Sequence, residues 1–481
     1  MTISEGISSQ EKAMIKNILS AILSDIKMNH ETHYNAKQLA RDQVAILSRF
    51  DTRGLHFLTT ILPTLGSALD EGLKTGVFVI PQQFSKMSNT TLPRLLYALW
   101  SKIFDQSGAL LECPCLDAIV DLRFLTKSFY KYELDFDEAT VDNSISTFIA
   151  VDESLPLVQP TKGVFFAVLD VARSLICEVL GTPPDYFIPH HSSGATATGE
   201  RSWEKTEGLV ILPQYRILGG RRNFYVTHQE TYYNNYICES SAISVPIAKL
   251  CAVPKDSRGP RLICEEPCTQ MFLQQGIKDY LYERIENHPL TKGYVNFTDQ
   301  TINQKLAIIG SSVEPGTVTL DMKEASDRIA YSTVDRLFPT EWMALFDAVR
   351  TDLVELPSGK IIELRKYAPM GSALCFPIEA LVHWALGCAT YLLQGYTSET
   401  VFCSVYVYGD DIVLRGLPPK SLFKVFPKYG LKFNEVKSCC EGRFRESCGV
   451  DAFLGRDVSA VKFKKRLPIS LDKPELFVAW T

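Results

Sequence analysis

Along the first 180 residues the apolar positions recur three and four apart, the spacing of helices that bury one stripe. In 8–27 (SSQEKAMIKNILSAILSDIK) the stripe is Met14, Ile15, Ile18, Leu19, Ile22, Leu23 and Ile26. Ser8 and Glu11 open it as a capping box. Its acids and its lack of Arg disfavour a transit peptide, so it reads as a docking helix. Residues 181–240 keep no period and read as loop. Two strands around a basic loop follow in KLCAVPKDSRGPRLICEEP (249–267), then a helix from 271 to about 286. From 316 onward the two periods interleave. They predict a strand at 316–323, a helix at 325–337, a hairpin at 352–364, a helix at 377–394 and a hairpin at 403–415. A further helix and two more hairpin strands then reach to about 468. This mixture predicts an α+β catalytic core. The longest apolar run, 378–393, contains Glu379 and His383 and is short for a membrane span, so it reads as a buried helix.

Composition narrows this picture only a little. A chain of 481 residues calls for two or three packed subdomains. Its 46% hydrophobic and 22% charged residues are the balance of a folded soluble protein. The net charge of −5 provides no general attraction to nucleic acid, so any basic channel must come from local clusters. Thirteen cysteines without a CxxC pair read as free thiols in a reducing compartment. Zinc is disfavoured because no His lies at ligand spacing from Cys113 and Cys115 or from Cys439 and Cys440.

Chemistry concentrates in SVYVYGDDIVLRG (404–416), where two β-prone runs flank Asp410 and Asp411. Two carboxylates about 4 Å apart repel by about 1 kcal/mol in water and about 4 at an intermediate dielectric. A divalent cation would offset this, and hard Mg²⁺ or Mn²⁺ prefers such oxygens. The plainer reading is a polar hairpin turn. In GTVTLDMKEASDRIA (316–330), alternation puts Val318, Leu320 and Met322 on one face, with Thr317, Thr319 and Asp321 facing away from the core. Asp327 falls just inside the following helix, where it could equally serve the helix dipole. Asp321, Asp410 and Asp411 together could hold two metals about 3.5–4 Å apart, the arrangement used for in-line phosphoryl displacement. Lys255, Arg258 and Arg261, three residues apart, could grip a triphosphate or form a solvated loop. Arg201, Lys205, Arg221 and Arg222 add positive charge upstream. In KFKKR (462–466), Lys462, Lys464 and Arg466 alternate on one strand face, able to track a phosphate backbone or to protect a sheet edge.

In this order the pieces resemble viral RNA-dependent RNA polymerases, and more narrowly the replicase catalytic (beta) subunit of single-stranded RNA phages (levivirus-like). VPKDSRGPRLICEEP, LDMKEASDRI, APMGSALCFPIEAL, VYGDDIVL, GLKFNEVKS and FRESCG look like motifs F, A, B, C, D and E. HHSSGATATGERSWEKTEG is similar to a finger segment of that family. The resemblance covers roughly 185–470 and implies a right-hand fold of fingers, palm and small or truncated thumb. It divides the chain into 1–310 (N-terminal region and fingers), 311–445 (palm) and 446–481 (motif E and the start of the thumb). Asp321, Asp410 and Asp411 would be the catalytic metal ligands for two Mg²⁺, or Mn²⁺ in their place. Asp327, with Gly371 and Ser372, would sense the ribose 2′-hydroxyl, although some relatives have asparagine where Ser372 stands. Lys255, Arg258 and Arg261 would hold the triphosphate, and Lys437 would protonate pyrophosphate. Arg445, Glu446 and Ser447 would support the growing strand, or serve only in ion pairs. The implied partners are template RNA, NTPs, host elongation factors Tu and Ts and, in some relatives, a ribosomal protein, in the cytoplasm of an infected bacterium. About thirty residues follow motif E, so LDKPELFVAWT reads as a truncated helix or a reduced thumb.

Three other readings remain open at this level. A reverse transcriptase shares the two-metal palm, but Asp327 stands where such enzymes usually place a bulky aromatic. A catalytically silent RNA-binding relative would bind RNA without magnesium-dependent extension. Narnavirus-like and mitovirus-like polymerases of eukaryotic hosts share the same plan.

Overall fold

The computed structural model describes residues 7–30, 33–206, 213–218, 245–256, 259–313 and 316–466. Arg258, the Arg221–Arg222 pair and the final LDKPELFVAWT segment lie outside the described residues. The helical period of the N-terminal region resolves into helices Ser9–Asn29, Ala36–His56, Leu62–Thr75, Leu116–Lys127, Glu138–Glu153 and Gly163–Leu180. Ser8 caps the first helix, its Oγ accepting from Glu11 N at 3.1 Å. The reciprocal half of the capping box is absent, because the buried Glu11 carboxylate accepts from Tyr132 Oη at 2.7 Å instead.

Strands β1 (Ile247–Asp256), β2 (Gly259–Glu265), β4 (Leu353–Glu355) and β5 (Ile361–Glu363) form one sheet in the order β2-β1-β4-β5. A second sheet, β3-β7-β6, joins β3 (Thr317–Asp321) to the hairpin of β6 (Val405–Tyr408) and β7 (Asp411–Arg415). The third, β10-β9-β8, contains β8 (Phe444–Ser447), β9 (Val450–Phe453) and β10 (Arg456–Asp457). Helix Cys375–Leu393 is long and apolar enough to cross a membrane, but 83% of its most apolar window is buried inside the molecule. Every cysteine among the described residues is a free thiol. The result is the α+β architecture expected.

Two local expectations change. The helix expected at 325–337 breaks into a 3₁₀ turn at Ser326–Arg328 and a helix at Tyr331–Leu337. The break occurs because 329–331 pair with 365–367: Tyr331 N donates to Arg365 O at 2.8 Å and Tyr367 N to Ile329 O at 2.7 Å. KFKKR is not a sheet strand. It is extended along 128–135, with Phe463 N donating to Ser128 O at 2.7 Å and Arg466 paired with Asp135 at 2.8 Å.

Among the described residues, buried apolar side chains gather into three clusters. Apolar residues from Ile15 to Leu134 share one core with Cys439, Phe444, Phe453 and Val458. A second core runs from Val168 through Leu431 and contains β3, β6, β7 and helix Cys375–Leu393. The N-terminal helices therefore pack on the motif E hairpin, and Phe148 joins the β1-β2-β4-β5 sheet in a third cluster. Arg123 ties the first core together. Fully buried, it bonds Asp70 and Asp451 with its two terminal nitrogens and Val458 O with Nε at 2.8 Å.

Candidate active site

Antiparallel pairing of β3 with β7 sets Asp321 directly opposite Asp411. Asp410 occupies the hairpin tip between β6 and β7 and is exposed. Acids ninety residues apart in the chain thus meet because two strand ends are in register. The face of β3 expected to point away from the core is in fact covered: Thr317 and Thr319 are buried as deeply as Val318 and Leu320. Segment 438–447 supplies the cover. Thr319 exchanges backbone hydrogen bonds with Cys439, and its Oγ1 accepts from Glu446 N at 3.3 Å.

The tip is held from below by helix Cys375–Leu393. His383 is buried, and its Nδ1 lies 3.0 Å from Gly409 O. Burial lowers its proton affinity to about 4, so it is neutral and donates to that carbonyl. Gly409 has φ 63°, and a Cβ there would fall well inside contact distance of the Phe376 ring.

Electrostatically the cluster is strained. Burial, then the Asp410 and Asp321 charges, push Asp411 up to about 7. Asp321 is restrained by the 434–438 loop: Lys437 Nζ lies 3.1 Å from Oδ1 and Asn434 Nδ2 donates to Oδ2 at 2.7 Å. Lys437 also lies 3.6 Å from Glu446. Burial works against the Lys437 charge, but Glu446, Asp321 and Asp411 outweigh it and raise its proton affinity well above the ordinary lysine value. Ser447 Oγ is 3.5 Å from Asp411 Oδ1. Among the described residues no three His, Cys, Asp or Glu side chains form a ready-made ligand cage. The donor set nonetheless fits a hard divalent cation: the carboxylates of Asp321, Asp410 and Asp411 meet at one end of paired strands, oxygen donors of the kind such ions prefer.

The remaining expected residues take different places. Gly371 (φ 123°) packs so closely on β2 that a Cβ would collide with the Cys264 carbonyl. Cys264 N donates to Met370 O at 2.8 Å, which fixes the motif B loop to the motif F strand. Ser372 Oγ donates to Gln274 Oε1 at 3.1 Å, and Ala373 N to the same atom at 3.0 Å. Asp327 lies on the 3₁₀ turn, not inside a helix, with Lys366 Nζ 3.0 Å from its Oδ1. Lys255 and Arg261 are exposed on β1 and β2. Lys205 is buried and donates to Ser192 O and Gly194 O at 2.7 and 2.5 Å, so it staples a loop and lends no charge to the surface. Arg445 is buried as well, donating to the carbonyls of Thr317, Glu441 and Phe444, which gives it a structural part. Gln274, Asn434, His383 and Lys366 were not legible as site residues. The nearest signal was the NEVKS motif, which contains Asn434.

A family profile described as "RNA replicase, beta-chain" matches residues 168–477. The chain is 31% identical over 303 residues to the RNA-directed RNA polymerase subunit beta of Escherichia virus Qbeta, an alignment of 62% of this chain and 49% of that one. It is 36% identical over 221 residues to the corresponding subunit of Enterobacteria phage SP (46% and 36%) and 31% over 213 residues to the beta chain of Escherichia phage MS2 (44% and 37%). The matched regions thus span half or less of these relatives. A solved chain titled "RdRp complex" superposes with a TM-score of 0.50 at 14% identity, covering 92% of this chain and 43% of that one, which shows the shared fold. Fold, motif order and a family match over most of its length agree: the chain belongs to the RNA replicase beta-chain family.

Proposed function

We propose that this chain joins ribonucleotides on an RNA template, replicating the single-stranded RNA genome of a levivirus-like phage. The observation that carries the reading is the register of Asp321 opposite Asp411, with Asp410 at the adjoining tip. Asp321, Asp410 and Asp411 would hold two Mg²⁺ ions, or Mn²⁺ in their place. When bound, the ions would neutralise phosphate charge and activate the attacking hydroxyl. Asn434 and Lys437 fix the rotamer of Asp321. Lys437, kept protonated by Glu446 and Asp321, stands ready to protonate departing pyrophosphate. Asp327 presents an acceptor for the ribose 2′-hydroxyl, and Gln274 holds the Gly371–Ser372 loop beside it. Lys255, Arg258 and Arg261 would meet the triphosphate. Template RNA and NTPs are the substrates, host elongation factors Tu and Ts and a ribosomal protein the partners, and the cytoplasm of an infected bacterium the setting.

The test is extension of an RNA template by the purified chain with all four NTPs, with and without Mg²⁺ and with and without the two elongation factors. Magnesium-dependent product made from NTPs supports the reading. RNA binding without extension in every condition points to a silent relative, and a preference for dNTPs points to a reverse transcriptase.

The hairpin tip offers a second check. Left-handed backbone costs a non-glycine residue about 1–2 kcal/mol before any collision is counted. Gly409→Ala is expected to slow extension at least about tenfold, since displacing the acids by even a fraction of an ångström forfeits about 1.4 kcal/mol or more. The rate of extension measures this, with the unfolding midpoint reporting the accompanying loss of stability.

A further inference from the structure

Lys366 has no part in the reading above, yet it is fully buried. Its ammonium lies 3.0 Å from Asp327 Oδ1, 3.9 Å from Asp152 Oδ1 and 3.4 Å from the centroid of the Phe148 ring. A charge so placed is retained only when well paired. Asp152 is already engaged by the backbone: it accepts from Arg365 N at 3.0 and 3.2 Å and from Lys366 N at 3.0 Å. Asp327 is therefore the carboxylate that receives the ammonium's hydrogen bond. The same 365–367 stretch pairs with 329–331, the pairing that breaks the expected helix and turns Asp327 toward Lys366. Three pieces of chain converge here: helix Glu138–Glu153, the Ser326–Arg328 turn and the segment leading into Gly371. The first lies before residue 168, where the family match begins.

We propose that Lys366 is a positioning residue for sugar selection, locking the Asp327 carboxylate in one rotamer from its seat over the Phe148 ring of helix Glu138–Glu153. A carboxylate pinned through one oxygen by a charge-assisted bond presents a fixed acceptor to a 2′-hydroxyl. An unpinned one samples other rotamers and reads that hydroxyl poorly. The aromatic face beneath the ammonium keeps the lysine stem from swinging away. The inference rests on Asp327 acting as the sugar sensor, and the experiment separates the two claims.

The experiment measures kcat/KM for NTP and dNTP incorporation in the extension assay, for the whole chain and four variants. Asp327→Asn is expected to lower the NTP/dNTP ratio at least about tenfold, the scale of a lost hydrogen bond to a charged group. Lys366→Met is expected to lower it about fivefold or more, mainly through a higher KM for NTPs with dNTP constants unchanged. Asp152→Asn alone should keep the wild-type ratio, because the Lys366–Asp327 bond survives. Should Lys366→Met fail to fold, Lys366→Met/Asp152→Asn preserves the net charge of the buried cluster and is expected to show the same loss. A normal ratio in either folded Lys366 variant, with Asp327→Asn impaired, overturns the positioning role alone. A normal ratio in Asp327→Asn removes the sensor reading and the inference with it. An equal loss in Asp152→Asn would mean that the cluster is merely structural.

Discussion

Asp410→Asn is expected to abolish nucleotide addition, lowering extension at least about a thousandfold, while the chain keeps its fold. Asp410 is exposed at the hairpin tip, so the substitution empties no core and breaks no buried pair. It removes one of the two charges that raise Asp411, and so eases local repulsion. Stability should hold or rise slightly. On the proposed reading activity should fall, because a bound metal would supply several kcal/mol of charge stabilisation in the transition state. At about 1.4 kcal/mol per decade, losing its anchoring carboxylate amounts to three orders of magnitude. Template extension measured beside the thermal unfolding midpoint separates the two effects. Synthesis retained by a folded Asp410→Asn chain would remove the metal assignment for all three acids.

The largest stability effect is expected at Arg123→Met. Among the described residues Arg123 is the cation that pairs with Asp451, and it shares Asp70 with Lys127. Removing it strands the buried Asp451 carboxylate where helices Leu62–Thr75 and Leu116–Lys127 meet β9. Breaking such a pair from one side costs about 3–5 kcal/mol. A guanidinium unfolding curve should show this as an earlier loss of the N-terminal core. Adding Asp451→Asn should recover much of it, since Asp70 keeps Lys127 as its partner and no buried carboxylate is left unpaired.

Acid sensitivity provides an independent reading of the same group. Burial alone would raise Asp451, but Arg123, Lys127 and Lys462 outweigh it and hold the carboxyl below its ordinary range. A group depressed in the folded state contributes stability above its unfolded value, and that contribution is lost as pH falls through the folded one. The wild-type chain should therefore lose stability below about pH 4, and Arg123→Met should show a shallower acid dependence. Equal acid slopes in the two chains would contradict the pairing.

How much of this was legible depended on range along the chain. The period-2 runs on both sides of Gly409 predicted β6 and β7 closely, and alternation in 317–321 placed Asp321 at a strand end. That the Thr face of β3 is also buried could not be read, because its cover comes from 438–447, more than a hundred residues away. The helix at 325–337 was misread for a related reason. Its apolar spacing is helical, but pairing with 365–367 competes for the backbone at 329–331 and wins. Lys205 read as added positive charge and Arg445 as a strand support or ion-pair partner, but burial turns both toward carbonyl oxygens.

By itself the sequence determined which residue types carry the chemistry, their order, and most strands and helices, because hydrophobic period and turn residues act over a few positions. Tertiary structure alone decided which of those residues meet. Lys437 reaches Asp321 across 116 positions and Lys366 reaches Asp327 across 39. No spacing encodes such pairs, since they depend on how separately folded elements stack and on which charges that stacking buries together.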